Sequence, residues 1–188
     1  KLKKRPKKNP LIVHYFNITS LKKDCFVNKN FLKLYKKFCP GPITFILKLK
    51  NKSMISKIVT NKKNNLAVRF PKHRIVRKLL NKIDFPLAAP SANVSSSISP
   101  VTKDDVIEEF GDKIKYVLNG GQSNIGLEST IIDLTNKPKI LRLGGLVLED
   151  LRKVLKLEIN HATKNSSGYP GQSKLHYSPG IPIKLNVK

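Results

Sequence analysis

The tetrapeptide Cys39-Pro40-Gly41-Pro42 constrains the fold more than any other stretch of the sequence. Before it, Phe31, Leu34, Tyr35 and Phe38 recur at helical spacing with Lys on the other side, which predicts an amphipathic helix over 30–38. A proline pair cannot continue that helix, because each ring removes an N–H and crowds the preceding turn. Directly after it, Ile43–Leu49 reads as a buried strand. The same change of period repeats along the chain. Apolar β-type runs are predicted at 10–16, 66–70, 86–89, 115–118, 130–134 and 139–143. Helices are predicted at 54–59, 73–81, 102–110 and 149–155, the third opened by Thr102 with Asp105 three residues on. Alternation of this kind predicts a layered α/β domain.

Composition narrows the class. Hydrophobic residues make up 39% of the 188, enough for a sizeable core, and no apolar run approaches a bilayer span. No secretory signal pattern occurs either. The net charge of +25 attracts phosphate polymers in principle. It comes, however, from 31 Lys against 6 Arg, alongside 16 Asn and 18 Ile, which also fits compositional drift on a solvated surface. Cys25 and Cys39 stand 14 residues apart with no Cys/His cluster, so two reduced thiols in a cytoplasmic protein are expected, with no metal site. After Leu157 the sequence turns rich in Asn, Ser, Gly and Pro, so 158–180 reads as a linker or lid.

Four polar loops follow β-type runs or lead into them, where ligands of layered α/β proteins commonly sit. The first runs from Lys3 and Arg5 through Asn9 to His14; it suits phosphate oxygens, or is a solvated basic arm. The second places Arg69 after an apolar run, facing a pocket or plain solvent. The third, Ala89-Pro90-Ser91-Ala92-Asn93 continuing to Ser99, has small side chains that let a ligand reach the backbone, or is simply a serine-rich loop. The fourth joins Asn119-Gly120-Gly121 to Gly126-Leu127-Glu128-Ser129-Thr130, with Ser129 facing a site or merely connecting two strands. No nucleophile elbow or P-loop motif occurs.

Taken in order, the segments KRPKKNPLIVH (4–14), PGPITFILK (40–48), LAVRFPKH (66–73), PLAAPSAN (86–93), SISP (97–100), LNGGQSNIGLESTIIDL (118–134) and ILRLG (140–144) resemble the YrdC-like threonylcarbamoyl-AMP synthases. The resemblance implies a twisted mixed β-sheet flanked by helices around a large open cavity. It implies L-threonine, bicarbonate and ATP with Mg²⁺ as substrates, and threonylcarbamoyl-AMP and pyrophosphate as products. The product would serve tRNA modification through a downstream threonylcarbamoyl transferase complex, with tRNA itself a partner indirectly or weakly, and no membrane partner. Carried over by motif, Lys3, Arg5, Asn9, Asn65, Ser91, Ser99 and Arg142 resemble ATP ligands, Asn65 standing where many relatives have Thr. His14, Arg69, the backbone at Ala89, and Ser129 resemble the threonine-binding set.

The tail from Tyr169-Pro170-Gly171 to His176-Tyr177-Ser178-Pro179 resembles the linker of long, two-domain members, with Tyr177 implied at ATP. On this reading 1–157 is the catalytic domain, 158–180 folds over the site, and 181–188 opens a second domain. The family's Pro-Thr-Glu-Thr-Val-Tyr-Gly-Leu type segment is not in the sequence, so an internal fragment, inactive or very weak alone, is expected. Two other readings compete: a non-catalytic module binding double-stranded RNA, and a carbamoyl-transfer domain of the hydrogenase-maturation type.

Overall fold

The computed structural model describes residues 2–6 and 9–161, the side chains of 160 and 161 excepted. These fall into two compact units, one formed by 2–6 with 91–126, the other by 9–90 with 127–161. Each is described by itself.

The larger unit holds a seven-stranded mixed sheet. Its strands are β1 (Ile12–His14), β2 (Ile43–Lys48), β3 (Asn65–Arg69), β4 (Leu87–Ala89), β5 (Thr130–Asp133), β6 (Lys139–Arg142) and β7 (Asn160–His161). Their order across the sheet is β4-β1-β3-β2-β5-β6-β7. The helices of this unit are α1 (Ile18–Asp24), α2 (Lys29–Phe38), α3 (Lys57–Thr60) and α4 (Arg74–Lys82), with α6 (Leu148–Leu155) after the short helix α5 (Lys103–Phe110) of the other unit.

Two-residue alternation sorts the strands onto two faces. Val13, Phe45, Val68, Ile132 and Ile140 point to one side and pack on Leu21 of α1, Phe31 and Leu34 of α2, and Leu151 and Leu155 of α6. Their immediate neighbours Ile12, Ile46, Ala67, Ile131 and Leu141 form a smaller apolar cluster of their own. Aromatic edges lock the helical side: Phe31 meets Phe45 at 4.9 Å and Tyr35 meets Phe70 at 4.8 Å, both edge-on. Such pairs add about 0.5–1.5 kcal/mol beyond the area they bury. Behind β1, the buried Tyr15 hydroxyl donates to Asp24 (2.9 Å), whose other oxygen accepts from Ser53 (2.6 Å).

Several expectations need correction. Residues 115–118 form no strand, and the exposed Tyr116 and Leu118 find no sheet to pair with. The helix expected over 54–59 is the single turn α3, because the Ser53 and Ser56 hydroxyls take the Ile55 and Ile58 N–H groups and delay its start. Helix α1 carries too few apolar residues to show a period, and its start is set by Asn17, whose side chain accepts from Ser20 N. The predicted linker opens instead with β7, parallel to β6. From 162 onward, Tyr177 and the expected lid and second domain lie outside the described residues. Among the described residues no helix is long and apolar enough to cross a membrane.

Candidate functional site

Strand register assembles the first cluster, in the larger unit. His14 of β1 stands opposite Arg69 of β3, and Arg69 stands opposite Thr44 of β2, so the three form one row across the sheet. Directly paired residues of neighbouring strands share a face. Arg142 joins from β6 through an irregularity. Ile132 pairs with Ile140 while Ile131 pairs with Arg142, leaving Leu141 as an extra residue. That bulge brings Arg142 to the face of Ile131, whereas strict alternation from Ile140 would send it among the helices.

The Arg142 guanidinium donates through Nε (3.2 Å) and one terminal nitrogen (2.9 Å) to the Ser129 carbonyl. The same terminal nitrogen lies 3.3 Å from Ser129 Oγ. Ser129 Oγ is also 2.7 Å from Thr44 Oγ1. Ser129 is itself only 1% exposed, so in this state it serves Arg142 from within. The next residue staples the loop in place: Thr130 Oγ1 donates to Leu146 O (2.8 Å) and accepts from Gly144 N (3.0 Å) and Leu146 N (3.1 Å). A Cβ at Gly144 would overlap the Glu128 carbonyl, so only glycine lets the two segments close.

Arg69 has a buried Nε with no hydrogen-bond partner among the described residues. Burial first, then the charge of Arg142, push its guanidinium below its ordinary value, yet an arginine stays protonated at any physiological pH. The result is positive charge at a sheet end with no carboxylate paired to it among the described residues. Beside it, His14 is pushed down to about 4 by burial and then by Arg69, so at neutral pH the ring is uncharged. Its Nδ1 lies 3.3 Å from the Leu87 carbonyl. A neutral ring must donate there, which leaves Nε2 as an acceptor. Ala89, opposite Ile12, is exposed on the edge strand β4, where backbone groups remain for a ligand.

The second cluster belongs to the smaller unit. The Lys3 ammonium donates to the carbonyls of Ser91 (2.5 Å) and Asn93, and the Lys3 carbonyl accepts from Ser95 N (2.8 Å). Burial, then Arg5, lower the Lys3 pKa, while Glu109 opposes them. Glu109 also accepts from Val94 N (2.7 Å), tying the loop to α5. A small cleft results, lined by Lys3, Arg5, Ser91, Asn93, Ser95 and Ser96. Asn93 is 3% exposed; its Nδ2 donates to Ser97 O (2.7 Å), and its Oδ1 has no partner among the described residues.

The expected residues therefore separate into groups. His14, Arg69, Ser129 and Arg142 share one sheet end, Arg142 standing with the residues expected for threonine. Lys3, Arg5 and Ser91 share the cleft; Ser99 lies further along the same loop, half-buried. Lys3 grips the loop's carbonyls, so its charge is engaged in building the cleft. Asn9 is half-buried ahead of β1, and Asn65 opens β3 at the end away from Arg69, about 13 Å along the strand. Thr44 and Asn93 had no sequence role. Their signals were a lone hydroxyl inside an apolar run and an amide closing a run of small residues. Another groove, of about 560 Å³, lies between α2 and α6 with Lys33, Lys36, Lys37, Val154 and Lys156 around it, and none of the expected residues.

A mixed sheet carrying two guanidiniums and a neutral imidazole at one end defines an α/β protein with a cationic sheet end, of a chemistry that suits an anion. Comparison with known proteins is more specific. The pattern of the Sua5/YciO/YrdC family, described as telomere recombination, matches residues 1–144. Threonylcarbamoyl-AMP synthase of Pyrococcus abyssi is 37% identical over 96% of this chain and 55% of its own length. The Schizosaccharomyces pombe enzyme of the same name is 32% identical over the whole chain and 54% of its length. The crystal structure of P. abyssi Sua5 complexed with L-threonine superimposes with a TM-score of 0.87 at 36% identity, covering 94% of this chain and 54% of that one. The chain belongs to the Sua5/YciO/YrdC family, and it spans about half the length of these curated relatives. Full-length HypF, at 21% identity and a TM-score of 0.63, shares the fold.

Proposed function

We propose that this chain carries the substrate-binding part of an L-threonylcarbamoyladenylate synthase, a nucleotidyltransferase using L-threonine, bicarbonate and ATP. The observation that carries the reading is the half-buried Arg69, whose buried Nε has no partner among the described residues, beside the neutral His14. Arg69 suits the threonine carboxylate, because an unspent buried N–H gains most from an anionic oxygen. His14 Nε2 accepts from an N–H or O–H of the same amino acid, and the Ala89 backbone completes its contacts. Similarity to a Sua5 structure complexed with L-threonine supports the choice of amino acid.

The chemistry asks for orientation and charge neutralisation more than for a nucleophile. The threonine amine adds to bicarbonate and loses water to give a carbamate. A carbamate oxygen then forms a bond to the α-phosphorus of ATP, the bond to the β-phosphate oxygen breaks, and pyrophosphate leaves. The first step makes an anionic carbamate from bicarbonate and the second brings that anion to a polyphosphate and develops charge on the leaving pyrophosphate, which fixed cations stabilise without reorganising. Arg142, held by Ser129, supplies such a cation. Arg5, with Ser91 and Ser99 on the loop that Lys3 clamps, is assigned to the nucleotide, and Asn93 Oδ1 is a further acceptor. Mg²⁺ enters as part of the ATP substrate complex.

The product would pass to a threonylcarbamoyl transferase complex acting on tRNA, in the cytoplasm. Calorimetric titration of L-threonine into wild type and Arg69→Ala tests the assignment. Saturable binding lost in the variant is expected; equal binding by both would reject it.

A further inference from the structure

Thr44 is the one hydroxyl within β2, fully buried in a strand otherwise made of apolar residues and Lys48. Valine would fill the same space with nothing polar to satisfy. Among the described residues its Oγ1 meets a single side-chain partner, Ser129 Oγ at 2.7 Å. Whichever of the two hydroxyls gives its proton, the bond fixes the Ser129 rotor. Arg142 donates to the same Ser129 oxygen, and a guanidinium can only donate. In either direction a Ser129 lone pair is left facing Arg142.

The rest of the geometry shows what this order is for. Arg142 is held close enough to Arg69 for its charge to act on it, an arrangement that repulsion opposes. Its anchors are the Ser129 carbonyl and hydroxyl. A free serine rotor would swing and offer Arg142 its proton as readily as its lone pair; one fixed by Thr44 offers the lone pair.

We propose that Thr44 is a positioning residue, which locks Ser129 as acceptor for Arg142 and so holds Arg142 beside Arg69 as the second cation of the anion-binding pair. The ligand side of this rests on the functional reading above, in which the anion is the threonine carboxylate. The positional side does not.

The test compares wild type, Thr44→Val and Thr44→Ser, the last restoring the hydroxyl. The chain has six arginines, so ¹⁵N-arginine spectra give few Nε–H signals, and Arg142→Lys assigns the one that matters. In Thr44→Val the Arg142 Nε–H is expected to exchange with solvent about tenfold faster, the scale of one charge-assisted hydrogen bond weakened. L-threonine is expected to bind about tenfold more weakly, while L-threoninamide, which lacks the carboxylate, changes less than about twofold. Thr44→Ser should behave as wild type in both measurements. Unchanged Arg142 exchange in Thr44→Val overturns the proposal, as does equal weakening of both ligands, which would mark general loosening of the sheet. If wild type binds no L-threonine while Arg142 exchange still responds to Thr44→Val alone, the functional reading falls and the positioning role stands.

Discussion

The two clusters hold their cations by opposite means. At the sheet end, Arg69 and His14 are placed by strand register and Arg142 by a bulge and a buried serine, so moving any of them means breaking a ladder. In the smaller unit, one lysine ammonium reaching two carbonyls draws the 91–95 loop together. A ladder is cooperative and excludes water, whereas a single lysine is a flexible stem ending in a strongly hydrated point charge. The first arrangement suits a small, fixed ligand that must be told from its neighbours. The second suits a polyphosphate, whose oxygens tolerate small displacements.

The largest effect expected from breaking this contrast is at Arg69. Arg69→Ala should weaken L-threonine by about 2–3 kcal/mol, the loss of a charge-assisted pair, while relief of repulsion with Arg142 leaves the melting temperature equal or higher. Titration calorimetry and thermal melts check both halves. Of similar size is an acid effect at His14. Its folded pKa of about 4 lies below the ordinary 6.5, so between those values the unfolded chain binds a proton that the folded chain refuses. Stability from this group is therefore complete above pH 6.5 and falls as the pH drops toward 4, by up to about 3 kcal/mol. Urea titrations at pH 7 and pH 4.5 should show the fall in wild type and a smaller one in His14→Gln.

Smaller effects sharpen the comparison. Gly144→Ala should cost about 1–3 kcal/mol, because its Cβ meets the Glu128 backbone in a segment that cannot give, and urea titration reads it. Lys3→Met should cost less overall, about 1 kcal/mol. Amide exchange should nonetheless rise at Val94 and Ser95, ATP affinity should fall, and L-threonine affinity should hold. A parallel fall in threonine affinity would show that the two clusters are not independently built.

What the sequence reveals follows the same divide. The apolar runs holding Val13, Phe45, Val68 and Ile132 were legible as strands because burial on both faces makes them continuous, while which neighbour faces which side is set by the fold. The order of polar loops pointed to His14, Arg69 and Ser129, since each stands where an apolar run meets a turn. The register that brings His14, Arg69 and Thr44 into one row is a long-range pairing, and nothing local encodes it. For the same reason Thr44 looked like one more strand residue. Lys3 was carried over by resemblance as an assisting ATP contact; that its ammonium reaches two loop carbonyls is something charge alone does not encode. The run at 115–118 shows the limit of propensity: β-type residues without a neighbouring edge stay irregular.

The most direct measurement of the central claim is a titration of the ¹⁵N-labelled chain with L-threonine, followed by amide and arginine side-chain shifts. Saturable changes concentrated at residues 14, 44, 69, 87–89, 129–130 and 142 are predicted, with those of 33–37 and 154–156 unmoved. Changes confined to the lysine-lined groove between α2 and α6, or no saturable change at any residue, would contradict the assignment of the sheet end as the threonine site.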